Sequence, residues 1–230
     1  MIYTGIDDTD TIDSRGTNQL ALQIVEELQQ QWRCHQILRH QLFQDDRVPF
    51  TSKNGSASLL FSPLRNASAE ELFESLSTIM QKEFIPGSDP GLAVAEAVPD
   101  EIQQFGQICK IHVTSQADAG KLADRYPIHL EGLGGTNDGI IGALAAIGLA
   151  ATENDGRIIY LESWDQQLEG TQPVSRIRDY GVTVICRESG REVESGSVTL
   201  ARKLRPNRSE GRNLLFVERT PNGYQALKLP

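Results

Sequence analysis

The chain has 230 residues, of which 39% are hydrophobic and 23% charged, enough for one large or two small domains around a buried core. No apolar run reaches the length of a membrane span, and the first residues lead straight into a strand-like segment rather than a signal peptide. The net charge of −9 makes the protein a poor non-specific ligand for nucleic acid, although a local basic patch remains compatible with it. Cys34, Cys109 and Cys186 stand alone with no CxxC spacing, which speaks for a reducing, cytoplasmic setting and against a disulfide framework or a structural zinc site.

In chain order, Ile2 to Ile6 predict a short strand that ends in aspartates. Leu20, Ile24, Val25 and Leu28 then recur at helical spacing. Residues 34–43 predict a strand, and "TSKNGSASLLFS" a turn feeding another. "SAEELFESLSTIMQKEF" is an amphipathic helix with Ser68 as N-cap and Glu71 completing a capping box. "GSDPG" is a turn and "LAVAEAV" a strand, so the first half runs β-α-β-β-α-β, the ferredoxin-like order. The second half opens with a helix over 99–105. "KIHVT" reads either as its continuation or as a strand, and "SQADAGKLADRY" is a further helix. A glycine-rich loop then runs into an apolar helix, followed by the strand "RIIYLES". From residue 172 the texture changes to short strands separated by Gly, Asn and Pro, with a hairpin turn at Pro221-Asn222-Gly223. The expected fold is α/β of the α+β kind. It comprises an α/β region over 1–98, a second ferredoxin-like or related region over 99–171, and a small β-rich appendage over 172–230.

Three constellations carry chemistry. Asp7, Asp8, Asp10 and Asp13 crowd into "DDTDTID". Two carboxylates at about 4 Å cost each other about 4 kcal/mol in a surface-like dielectric, so either water separates them or a cation stands between them. Mg²⁺, which takes one or two carboxylates plus waters and phosphate oxygens, is the fitting ion; an acidic turn facing water is the plain alternative. If the strand continues, Asp8 and Asp10 share a face opposite Asp7; if a turn intervenes, all three converge. In "LGGTNDGIIGALAAIG", Gly134, Gly135 and Gly139 allow a close backbone approach to an anion, and Thr136, Asn137 or Asp138 can cap the helix. No P-loop lysine is present, and Gly142 and Gly148 suit close helix packing. Arg47 with Lys53, Asn54 and Gly55 forms a polar turn able to meet phosphate or simply to face water.

"GIDDTD" at Gly5 to Asp10, "SRGTNQLA", "SKNGSA" and the "GIIGALAAIG" helix at Gly139 to Gly148, in this order, make residues 1–165 resemble the archaeal isoleucine-tRNA agmatinylcytidine synthetases. The resemblance implies the family's kinase-like and ferredoxin-like domains and an ATP–Mg²⁺ site at the aspartates. It also implies an activity that cleaves ATP, phosphorylates a cytidine and joins agmatine to it. A threonine phosphorylated in that family falls on Thr17 in an ungapped match, or on Gln19 when Gly16 is aligned; the usual Cys-Thr-Thr is here Thr17-Asn18-Gln19. The family's OB-fold and zinc ribbon have no recognisable counterpart in 172–230, which carries no set of zinc cysteines.

These readings combine into an ATP- and Mg²⁺-dependent phosphotransferase or ATP-cleaving, ligase-like enzyme. Asp7, Asp8, Asp10 and Thr17 are its catalytic candidates, and the three aspartates hold the metal. Lys53, Asn54, Gly134, Gly135, Asn137, Asp138 and Gly139 bind the nucleotide. The partners are a nucleotide and a small-molecule or RNA acceptor, with a homodimer open and no membrane. The alternatives are an aspartate-nucleophile phosphohydrolase and a non-catalytic nucleotide sensor or RNA-binding accessory protein.

Overall fold

The computed structural model describes residues 1–47, 54–164, 168–201 and 203–229. Its elements run β1 (Ile2–Asp7), α1 (Thr17–Leu28), β2 (Trp32–Arg39), β3 (Ala57–Pro63), α2 (Ala69–Lys82) and β4 (Gly91–Ala95). Then follow α3 (Asp100–Cys109), α4 (Gln116–Ala123), β5 (His129–Gly132), α5 (Gly139–Ala151) and β6 (Arg157–Leu161). The C-terminal elements are β7 (Gly170–Pro173), α6 (Val174–Asp179), β8 (Val182–Cys186), β9 (Ser197–Leu200), β10 (Asn207–Ser209), β11 (Arg212–Thr220) and β12 (Gly223–Ala226).

The first six elements give the expected β-α-β-β-α-β order, and their strands lie antiparallel as β4-β1-β3-β2. One face carries α1 and α2. Leu20, Ala21, Ile24 and Leu28 of α1 and Leu72, Leu76, Ile79 and Met80 of α2 bury against Ile2, Ile6, Ile37, Leu59 and Phe61. Ser68 caps α2 as its sequence foretells, its hydroxyl accepting the Glu71 N–H at 3.2 Å. The other face carries α5, whose apolar sequence on nearly every side fits a helix enclosed between the sheet and α3. Small residues set that packing. A Cβ at Gly5 would overlap the Ala143 carbonyl, and one at Gly148 the Ile102 carbonyl.

The α+β class is as expected, but the strands of 99–171 build no sheet of their own. β5 pairs with β4 and β6 with β2, so both extend the first sheet outward. The open edges of a four-stranded sheet present unpaired backbone groups, and these two strands cover them. "KIHVT" is neither strand nor helix: α3 ends at Cys109, and residues 110–114 turn away from it. Beyond β6 the sheet continues through β10, β11, β12, β9 and β7, with β8 parallel to β11. The hairpin turn at Pro221 and Asn222 joins β11 to β12 with Thr220 opposite Gly223. The short helix α6, buried through Val174 and Ile177, interrupts the β-rich texture read from the sequence. Among the described residues no helix is long and apolar enough to cross a membrane.

Candidate active site

β1 stops at Asp7, and Asp8 takes a left-handed turn at φ 48°. The turn, rather than a continued strand, decides where the carboxylates go. Asp7, Asp8 and Asp10 all line one cleft of about 700 Å³, together with Asn54, Asp138, Gly139 and Asp89. Leu42, Phe43, Cys109, Val113 and Ile141 give it an apolar wall. Asp7 lies directly against Gly142 of α5, where any Cβ would overlap its carboxylate. Gly142 therefore serves packing and the cleft together.

Burial, then the neighbouring Asp8 charge, pushes the Asp7 carboxyl up to about 8, with Asp10 adding to the effect. Burial, then Asp89, Asp10 and Asp138, pushes Asp8 up to about 6. Among the described residues no lysine or arginine is bonded to Asp7 or Asp8. Arg47, also at the cleft, is engaged by Asp45 at 2.7 Å. Among the described residues the site is thus a cluster of carboxylates in which the Arg39 charge acts on Asp7 only as the smallest of its influences.

Thr17 opens α1 and is buried behind this cluster. Its hydroxyl donates to Asp10 Oδ1 at 3.1 Å and accepts from Thr9 Oγ1 at 3.1 Å. It reaches the cleft through Asp10 and does not line it. Asn54 lines the cleft, but its side-chain amide donates to the Phe43 carbonyl at 2.7 Å and so shapes the wall. Lys53 lies outside the described residues.

The glycine loop is ordered by a residue that the sequence reading passed over. Asp89, within the "GSDPG" turn, accepts the Thr136 hydroxyl at 2.5 Å and the Asp138 N–H at 3.2 Å. Its backbone accepts the Gly139 N–H at 3.1 Å and donates to the Asp8 carbonyl at 3.0 Å. Asp89 therefore caps α5 from another loop, in place of the expected local cap. Asp138, at the N-cap position, makes no side-chain cap and instead accepts from Gln116. Of the loop residues, Thr136, Asp138 and Gly139 reach the main cleft. Asn137, at φ 69°, lines a separate hollow of about 280 Å³ beside α4, while Gly134 and Gly135 line neither cavity. The signal for Asp89 was present as Asp-Pro-Gly; what the sequence hides is that this turn folds against the loop some fifty residues later.

Among the described residues no three His, Cys, Asp or Glu side chains form a complete metal-holding group. An ion in the cleft would complete its shell from water or ligand.

No protein-family model and no curated protein matches the chain. Solved structures do. The apo structure of TiaS (tRNAIle2 agmatidine synthetase) superposes with a TM-score of 0.54 at 22% identity, covering 64% of this chain and 35% of that one. Over that 64%, the fold is that of part of TiaS. A structure of TiaS with tRNA(Ile2) and ATP gives a TM-score of 0.54 at 21% identity over 64% of this chain and 36% of that one. A structure described as a tRNA fluorescent labeling enzyme gives 0.55 at 22%, over 64% and 35%. The chain thus matches about a third of the length of these TiaS-like proteins, and the likeness is one of fold.

Proposed function

We propose that the cleft at the end of β1 binds ATP with Mg²⁺ and that the protein uses ATP to activate an acceptor, by phosphoryl transfer or by ATP-cleaving ligation. The observation that carries this reading is the convergence of Asp7, Asp8 and Asp10 on one cleft, with Asp7 and Asp8 held above the ordinary carboxylate range. Partly buried carboxylates that repel one another are stabilised in their ionised form by a cation, and the binding of that cation releases protons. One or two carboxylates with room for water and phosphate oxygens suit Mg²⁺, so Asp8 and Asp10 fit the role, with Asp7 behind them. The ion would supply charge neutralisation between carboxylates and phosphate.

The chain's own groups then have distinct tasks. Asp7, with proton affinity near neutral pH, can take up or return the proton of an attacking group. Asp89 fixes the loop 134–139, and Thr17 orients Asp10. The apolar wall limits water around the transferred group. TiaS, solved with ATP, has this fold, which supports the nucleotide. Residues 1–98 and the α5 wall of 99–171 hold the site in this reading, and the three buried free thiols suit a reducing cytoplasm.

Melting curves of wild type and Asp8→Asn, each with and without Mg-ATP, test the assignment. Wild type gains about 2.7 kcal/mol at a hundredfold excess over Kd, and Asp8→Asn loses that gain. A full Mg-ATP response in the variant overturns the site.

A further inference from the structure

On the face that carries α1, a single rung crosses the sheet away from the aspartates. Ile6 stands opposite Ala57, Ala57 opposite Arg39, Arg39 opposite Arg157, and Arg157 opposite Asn207. Directly opposed residues project on the same side of a sheet. Ile37 and Ile159, each two residues from an arginine of the rung, are buried in the α1/α2 core and identify that side. The pairing runs on past β10, with the Ile158 N–H donating to the Pro206 carbonyl at 2.8 Å, so Arg205 returns to the same side as Asn207. Arg39 and Arg157 are therefore neighbours across strands spaced about 4.8 Å apart, and Arg205, just before β10, continues the row on the same side.

No carboxylate among the described residues is ion-paired with this row. The nearby ion pairs involve other arginines: Arg208 with Glu153 at 3.3 Å, and Arg212 with Glu192 at 3.3 Å. Arg39 gives both Nη atoms to Gln41 Oε1, at 3.3 and 3.2 Å, and Arg205 gives one to the Leu204 carbonyl at 2.8 Å. The buried Nε of Arg157 has no partner. Burial, then the charge of Arg157, lowers both Arg39 and Arg205, the direction expected of cations crowded together out of water. The row begins at the cleft. Arg39 feels the Asp7 charge, and its Nη2 lies 2.7 Å from where a Cβ of Gly55, a cleft residue, would stand. In a chain of net charge −9, partly buried arginines without a paired carboxylate are costly unless an anion completes them.

We propose that Arg39, Arg157 and Arg205 form a track for successive phosphates of a ligand whose reacting end lies in the cleft. Guanidinium groups suit this chemistry because their planar forks take phosphate oxygens two at a time. The direction of the track, though not its phosphate chemistry, rests on the function proposed above. Two sources share the chemistry: a nucleotide-like polyphosphate and a phosphodiester strand.

The test is a fluorescence-anisotropy titration of a labelled uridine hexanucleotide, repeated at several salt concentrations and in competition with tripolyphosphate. Wild type, Arg157→Gln and Arg205→Gln are compared, the last lying outside any strand and so sparing the ladder. For a single strand meeting three cations, the slope of log K against log salt is about −2, and each arginine removed reduces its magnitude by about 0.7. Binding at low salt weakens several-fold in both variants. Displacement by tripolyphosphate at equal phosphate concentration assigns the track to a polyphosphate, and persistence of the strand complex assigns it to a strand; both uphold it. The same affinity and slope in wild type and both variants, or no binding of either probe, overturns it. Stabilisation by Mg-ATP, measured in parallel, separates the two proposals. Asp8→Asn loses it while keeping the salt slope; Arg157→Gln loses slope, and it keeps the Mg-ATP stabilisation where the track takes a strand and loses part of it where the track takes a polyphosphate.

Discussion

Asp7 and Asp155 are both aspartates withdrawn from water, and their neighbours give them opposite characters. Asp155, just past the end of α5, accepts from His40 Nδ1 at 2.8 Å and pairs with Lys110. Burial alone would raise its pKa, but these partners more than offset that and hold it below the ordinary range. His40, fully buried, bonds Ser58 through its other nitrogen at 2.8 Å, so every polar group of this network is answered. Asp7 is buried beside Asp8 and Asp10 with no ion-paired cation among the described residues, and rises to about 8. The difference teaches that burial by itself does not mark a working site. A buried charge with its complement supplied by the fold is architecture, whereas one whose complement is missing is a place for something that arrives.

The comparison breaks most visibly if Asp155 is dispensable. Asp155→Asn strands His40 and Lys110 and should cost about 3 kcal/mol, the scale of a broken buried pair. Urea midpoints read it, and a loss below about 1 kcal/mol would deny the network its structural role. Gly142→Ala is expected to cost about 2 kcal/mol, because the new methyl must displace either Asp7 or α5. The variant should also lose its Mg-ATP response in thermal melts; a folded variant that responds fully would show that Asp7 is not needed where it stands.

Asp7→Asn should do the reverse of Asp155→Asn and leave apo stability unchanged or raise it by about 1 kcal/mol at alkaline pH. The sign follows from linkage. Asp7 is raised in the folded state, so its contribution is present below the ordinary carboxylate range and is lost as pH climbs through the folded value of about 8. Wild type therefore weakens from mildly acidic to alkaline pH, with Asp8 adding its loss as pH passes through about 6. Asp155 contributes on the opposite limb: its stabilisation is present above the ordinary carboxylate range and disappears as pH falls through its lowered value. A pH series of urea midpoints for the two variants resolves the limbs, and an alkaline weakening of equal slope in wild type and Asp7→Asn would contradict the cleft electrostatics.

Local periodicity made the first six elements legible. Leu20, Ile24 and Leu28 fix α1 at helical spacing, and Ser68 with Glu71 fixes the start of α2. The aspartate cluster was equally plain, since it is contiguous in sequence. Other features depend on contacts between distant residues. His40 meets Ser58 across 18 residues and Asp155 across 115, and no short window contains that network. Asp89 reads as one residue of a turn until the loop at 134–139 closes on it. That β5 and β6 extend the first sheet was hidden for a similar reason: an edge's need for a partner does not say which later strand will fill it. The arginine rung is visible only once the register is known, because Arg39, Arg157 and Arg205 share no motif.

The join between β6 and β10 is narrow. One residue pair, Asn207 with Arg157, spans it within the ladder, flanked by backbone bonds from Ile158 to Pro206 and from Arg208 to Gly156. Cohesion across it comes instead from an apolar cluster that mixes Leu38 and Ile158 with Val184, Leu215 and Val217. Such cohesion fades on cooling, whereas the broad pairing of β1 with β3 and β4 has directional bonds to rely on. Cold should therefore loosen the C-terminal strands before it touches the aspartate end. The chain's two tryptophans report the two sides separately, Trp164 from the shared cluster and Trp32 from the α1/α2 core. Near freezing, in mild urea, Trp164 emission should shift first, and simultaneous shifts would mean that the narrow join is as firm as the rest of the sheet.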